Sequence, residues 1–134
     1  MRKILLIAAL CALMLALMAP AALAVTKVGT NGPNNLNGTN DRDTLYGLSG
    51  NDDLNGLADR DELYGGRGED DLRGSYGKDY LNGGKGKDVL LGGIGDDRVE
   101  AADGQADIIN CGDGTDVVSV DALDTYQNCE TIIQ

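Results

Sequence analysis

From Gly29 the chain can be written in rows of nine: GTNGPNNLN, GTNDRDTLY, GLSGNDDLN, GLADRDELY, GGRGEDDLR, GSYGKDYLN, GGKGKDVLL and GGIGDDRVE. The register holds without a gap from Gly29 to Glu100. Column one is glycine in every row: Gly29, Gly38, Gly47, Gly56, Gly65, Gly74, Gly83 and Gly92. Column six is Asn34 and then Asp43, Asp52, Asp61, Asp70, Asp79, Asp88 and Asp97. Column eight is Leu36, Leu45, Leu54, Leu63, Leu72, Leu81, Leu90 and Val99. A period this strict means that one small unit is repeated and stacked, a solenoid, whatever the local propensities.

Each row supplies about six turn residues and three strand residues, of which only the middle one is apolar. Strand side chains alternate between faces, so column eight points inward while columns seven and nine meet solvent. Strands so short need neighbours. Odd rows can stack into one parallel sheet and even rows into another, with one coil every two rows. Leu36, Leu54, Leu72 and Leu90 then face Leu45, Leu63, Leu81 and Val99 across a thin core. The competing fold is an antiparallel meander that turns at Asn-Gly 37–38, 55–56 and 82–83. It needs strands with alternating apolar residues between turns, and each interval supplies mainly one. The sequence therefore predicts an all-β fold, a parallel β-roll.

Composition narrows the function. The chain has 11 basic and 22 acidic residues and no His, Trp or Phe. Without His, zinc-hydrolase and Ser-His-Asp chemistries fail. A chain this acidic is no partner for a nucleic-acid backbone; cations are its natural ligands. High charge and abundant glycine also mark disorder, but the strict period argues for order. Ordering nine residues costs about 1–2 kcal/mol each in backbone entropy, and burying one leucine returns about 1.5–3 kcal/mol. Something besides hydrocarbon must bind the coils. Calcium takes six to eight oxygen ligands in flexible geometry, carboxylates and carbonyls together. Glycines in columns one, two and four permit positive φ and loops whose carbonyls converge. The column-six aspartates supply charge, and in a two-row coil they stack as Asp43/Asp61, Asp52/Asp70, Asp61/Asp79, Asp70/Asp88 and Asp79/Asp97. A dication between each pair turns repulsion into a staple.

These rows resemble the GGxGxDxUx nonapeptide of the RTX, or haemolysin-type, calcium-binding repeat. The resemblance implies a calcium-bound parallel β-roll with several ions between successive turns, an extracellular setting and folding on metal. GGRGEDDLR, GGKGKDVLL and GGIGDDRVE match fully, and GSYGKDYLN departs only at Ser75. Column two holds Thr30, Thr39, Leu48 and Leu57 in the first four rows. Asp41 and Asp59 replace the fourth-column glycine in rows two and four, and Asn34 replaces the first Asp. The expected calcium ligands are Asp43, Asp52, Asp61, Asp70, Asp79, Asp88 and Asp97.

Both ends depart from the ruler. Arg2 and Lys3, the apolar run from Ile4 to Met18, and Ala22-Leu23-Ala24 read as a secretory leader, residues 1–24, cleaved after Ala24. Cys11 follows Leu10, which is too bulky for a lipobox. Removing the leader takes two of the 11 basic residues, leaving 9 against 22 acidic, a net charge of −13. The roll is expected over 25–100 and an atypical cap over 101–134, since the open end of a solenoid must be covered. There Asp97, Asp107, Asp116 and Asp124 recur at steps that shorten along the chain, a shifted spacing that leaves their geometry open. Cys111 and Cys129, an even pair in an exported domain, are expected to form a disulfide.

The reading is an exported calcium-binding protein, secreted or in the cell envelope, with no membrane association after cleavage and no catalytic domain. The alternative is a calcium-dependent adhesin or an envelope or matrix assembly module. A carboxylate hydrolase is conceivable, but Tyr46 and Tyr64 are the only aromatic platform the repeat offers.

Overall fold

From row two onward one apolar side chain per row is completely buried, and that regularity sets the architecture. The structure, a computed structural model, describes residues 23–134. The expected leader, apart from Leu23 and Ala24, lies outside the described residues. Thirteen strands follow one another: β1 (Thr26–Val28), β2 (Asn35–Asn37), β3 (Thr44–Ser49), β4 (Asp53–Ala58), β5 (Glu62–Arg67), β6 (Asp71–Tyr76), β7 (Tyr80–Lys85), β8 (Val89–Ile94), β9 (Arg98–Glu100), β10 (Ile108–Asp113), β11 (Val117–Ser119), β12 (Thr125–Gln127) and β13 (Thr131–Ile133). No helix occurs among the described residues, so none is long and apolar enough to cross a membrane.

Alternate strands pair in parallel. One sheet is ordered β1-β3-β5-β7-β9-β11-β13 and the other β12-β10-β8-β6-β4-β2. Leu45 pairs with Leu63 and Leu63 with Leu81 in the first; Leu54 pairs with Leu72 and Leu72 with Leu90 in the second. One coil therefore takes two rows, and the fold is the parallel roll expected from the period. Leu45, Leu54, Leu63, Leu72, Leu81, Leu90 and Val99 have no exposed surface, and Leu36 is partly buried at the amino-terminal end.

The strands are longer than the three residues expected. Between β3 and β8 each has six, because pairing continues through columns two and three of the next row: Leu48 with Gly66, Ser49 with Arg67, Ser75 with Gly93. Column two keeps its ladder while turning through positive φ, which leaves three residues for the tight bend. Column one corrects a second expectation. Its glycines do not adopt positive φ; columns two and four do, in every row from the third to the eighth. Column one is glycine because space is lacking. A Cβ on Gly74 would stand 2.5 Å from Asp79 Oδ2 and 2.5 Å from the Gly92 carbonyl oxygen in the next coil.

The cap continues both sheets with altered coil lengths. Ile108 pairs with Val89 behind it and Thr125 ahead, so the first of these coils is longer than two rows and the second shorter. Val117 pairs with Thr131, which makes the last coil of its sheet shorter still. Ile109, Val118, Val120 and Cys111 extend the buried core, and the Cys111–Cys129 disulfide closes the end with its Cα atoms 5.2 Å apart. Tyr126, in the apolar register, is 41% exposed because β12 is the edge of its sheet.

Candidate metal centre

Every column-six aspartate lies inside the roll. Asp43, Asp52, Asp61, Asp70, Asp79, Asp88 and Asp97 are between 0% and 2% exposed. Each is the last residue of the sharp bend in the middle of its row, and the strand that begins after it holds the carboxylate against its own column-one glycine. The structure brings these residues into two ladders, one at each edge of the sandwich.

In each ladder Oδ1 accepts the backbone N–H of the column-six residue one coil earlier. On one edge Asp43 N–H donates to Asp61, Asp61 to Asp79 and Asp79 to Asp97, each at 2.8 Å. On the other, Asn34 donates to Asp52, Asp52 to Asp70 and Asp70 to Asp88, also at 2.8 Å. The column-six carbonyl is engaged in the other direction. That of Asp52 accepts Asp71 N–H at 2.8 Å, and that of Asp61 accepts Tyr80 N–H at 2.9 Å. Backbone pairing thus consumes one oxygen of each carboxylate.

The second oxygen is left over. Oδ2 of Asp52, Asp61, Asp70, Asp79, Asp88 and Asp97 is buried with no hydrogen-bond partner. None of the five ion pairs among the described residues reaches a ladder carboxylate; all five lie on the surface. Buried charges without partners are strongly unfavourable, and the carboxyls respond. Burial, against the lowering effect of the N–H that each accepts and helped by neighbouring carboxylates, raises Asp61 and Asp97 from 3.8 to about 7. The same balance raises Asp70 to about 6. Asp79 rises to about 6 through burial and the charge of Asp59, and Asp88 moves the same way.

The ladders run on past the rows. Asp88 N–H donates to Asp107 Oδ1 at 2.8 Å and Asp97 N–H to Asp116 Oδ1 at 2.7 Å. Asp107 and Asp116 are buried, each with an unpartnered Oδ2, and burial lifts Asp107 to about 7 and raises Asp116. Asp124 and Glu130 end the two ladders by accepting Asp107 and Asp116 N–H at 3.0 Å and 2.8 Å. The aspartates at 107, 116 and 124 are visible in the sequence through their shortening steps. Glu130 carries no such signal, because its longer side chain reaches the ladder from the shortened last coil.

Asp43 stands apart. Its Oδ1 accepts Val25 N–H at 2.6 Å, and its Oδ2 accepts both the N–H and the hydroxyl of Thr39. Row two lacks the positive-φ residues of rows three to eight, so its loop turns Thr39 inward. Asn34 donates its side-chain amide to Gly32 O and to Asp52 Oδ1, filling its position without charge.

The loops that carry these aspartates offer further oxygens of the kind a hard dication takes. Columns two and four direct their carbonyls along the roll axis at the equivalent residue of the next coil. A Cβ there would strike the oxygen, as Gly66 would strike Leu48 O and Gly68 would strike Gly50 O. Four of these positions nevertheless carry side chains at positive φ: Leu48, Leu57, Asp59 and Ser75. The conformation is held even where glycine is missing. No three carboxylate or thiol side chains gather at one point among the described residues, so a cation must take carbonyls as well. That is the ligand mixture calcium accepts.

Two family-model matches of the RTX calcium-binding nonapeptide repeat (4 copies) cover residues 28–63 and 64–99, together more than half of the chain. Comparison with the curated proteins finds no match.

Proposed function

The chain belongs to the RTX calcium-binding nonapeptide repeat family and binds calcium, and on that premise we propose that it is an exported protein whose roll is ordered and stiffened by several calcium ions. The observation that carries this reading is the row of buried, unpartnered Oδ2 atoms from Asp52 to Asp116. The ligands are Asp52, Asp61, Asp70, Asp79, Asp88 and Asp97, extended by Asp107 and Asp116, with column-two and column-four carbonyls beside them. Asp43, whose oxygens are both engaged, contributes none free. Bound calcium supplies the positive charge that lets these carboxylates stay ionised inside the protein. The chain's own part is to pre-position the oxygens. The N–H of one coil fixes Oδ1, the column-one glycine makes room for Oδ2, and left-handed columns two and four aim the carbonyls. The leader and low intracellular calcium together favour folding after export. The fold is a structural calcium-binding domain, and no catalytic role is proposed for it.

Isothermal titration with calcium, paired with circular dichroism in chelator, tests this. Several ions should bind and the strand signal should grow with them. A strand signal already complete in chelator would refute folding on metal.

A second reading, attachment to a partner through the outer face, has one observation in its favour. Tyr46, Tyr64 and Tyr80 line up on the first sheet, with centroids 4.9 and 5.6 Å apart. Tyr64 and Tyr80 border a groove of about 410 Å³ edged by Arg60, Lys78 and Arg98. Capture of a partner in calcium but not in chelator, abolished by Tyr64→Ala, would support it.

A further inference from the structure

Val25 stands one row before Asn34 and one coil before Asp43, so it occupies column six of a row that the repeat does not complete. It makes both contacts of a column-six residue. Its nitrogen donates to Asp43 Oδ1 at 2.6 Å, and its carbonyl accepts Thr44 N–H at 2.9 Å. It has no carboxylate of its own, so this edge of the roll ends here. Leu23 and Ala24 before it are exposed, Leu23 at 76%.

Asp43 is 1% exposed and, unlike the ladder aspartates from Asp52 to Asp116, has both oxygens engaged by neutral donors. It is a buried carboxylate with no Lys or Arg partner among the described residues. The sequence places a cation within reach. Ala22-Leu23-Ala24 is a small-x-small site for a signal peptidase, and the bond it marks is Ala24–Val25.

We propose that cleavage at Ala24–Val25 seats the new α-ammonium of Val25 on Asp43 Oδ1, making Asp43 the amino-terminal lock of the roll instead of a calcium ligand. The inference rests on the export reading given above. Water breaks the Ala24–Val25 amide: its oxygen joins the Ala24 carbonyl carbon as a carboxylate on the leader. The nitrogen stays on Val25 and, being an amine of ordinary pKa about 7.7–8.0, takes up protons to become an ammonium at neutral pH. Before the cut a neutral amide donates to Asp43; afterwards a charged group does, and such bonds are about twice as strong. Processing thereby finishes the first coil, and the exported form is more firmly wound than the precursor.

The test begins with the full chain in an exporting host and the amino-terminal sequence of the released protein, which should start at Val25. Melting in calcium is then compared for protein starting at Val25 and protein retaining Ala24, each with Asp43 and with Asp43→Asn. Retaining Ala24 should lower the melting temperature by roughly 4–8 °C, the usual effect of one such interaction in a domain near this size, and should change nothing in the Asp43→Asn background. If that variant does not fold, acetylating Val25 in the otherwise unchanged protein should give the same drop. A chain that is not released overturns export and this inference together; one released uncut overturns this inference alone. Release with a different first residue, or equal melting of the two forms, overturns this inference alone and leaves the calcium reading standing.

Discussion

Replacing Asp79 by asparagine should stabilise the protein without calcium and destabilise it with calcium. Asp79 is 2% exposed, with Oδ1 on Asp61 N–H at 2.8 Å and Oδ2 unpartnered. Burial lifts its carboxyl from 3.8 to about 6. At pH 8, keeping it ionised in the metal-free roll therefore costs about 3 kcal/mol relative to water, at about 1.4 kcal/mol per pH unit. Asparagine keeps the Oδ1 acceptor and the shape, removes the charge and leaves an unpaired amide that costs about 1–3 kcal/mol. The metal-free form gains up to about 2 kcal/mol net. In calcium the lost carboxylate removes a site, and a site at about 100 times its dissociation constant contributes about 2.7 kcal/mol. The loss outweighs the gain, and the sign reverses. Thermal melts by circular dichroism at pH 8, in chelator and in calcium, read both arms. A shift of the same sign in both would refute the claim that metal compensates these buried charges.

The raised carboxyls also set a pH dependence. A carboxyl whose folded pKa lies above its unfolded value stabilises the fold below the unfolded value and loses that effect as pH rises through the folded one. With Asp61, Asp97 and Asp107 at about 7 and Asp70 and Asp79 at about 6, the strand signal in chelator should strengthen as pH falls from 8 to 5. Calcium binding should weaken over the same range and release protons, which titration in buffers of different ionisation heat detects. Gly74→Ala should destabilise by about 2 kcal/mol or more, since its Cβ would meet a carboxylate and a backbone carbonyl. Gly32→Ala, with nothing within 4 Å of its Cβ and no positive φ, should be neutral or stabilise by about 0.4–1 kcal/mol; paired chemical denaturation compares the two. Cys129→Ser should cost about 3 kcal/mol by opening a loop of about 19 residues. A reductant should destabilise the parent protein by the same amount and leave the variant unchanged.

The repeat is legible because its physics is one-dimensional: a fixed period places Leu45, Leu63 and Leu81 over one another and stacks Asp61 on Asp79 through contacts between neighbouring coils alone. The inward leucines, the two parallel sheets and the two-row coil all follow from it. What the period does not reveal is why each column holds its residue. It suggests positive φ at the column-one glycines, but the close approach of Asp Oδ2 and the next coil's carbonyl demands them, a contact between coils that no single row displays. The strands run longer than expected because column two ladders in spite of its left-handed turn. Asp43 matches the motif as well as Asp61 does, yet Thr39 and Val25 occupy its oxygens. Glu130 enters its ladder through a shortened coil that spacing alone does not announce.

Whether cations hold the coils is most directly tested by a crystal grown in calcium, with an anomalous difference map collected from it. Peaks should lie about 2.3–2.6 Å from Oδ2 of the aspartates between Asp52 and Asp116, and none at Asp43. An ordered roll with no density at those oxygens would contradict the account.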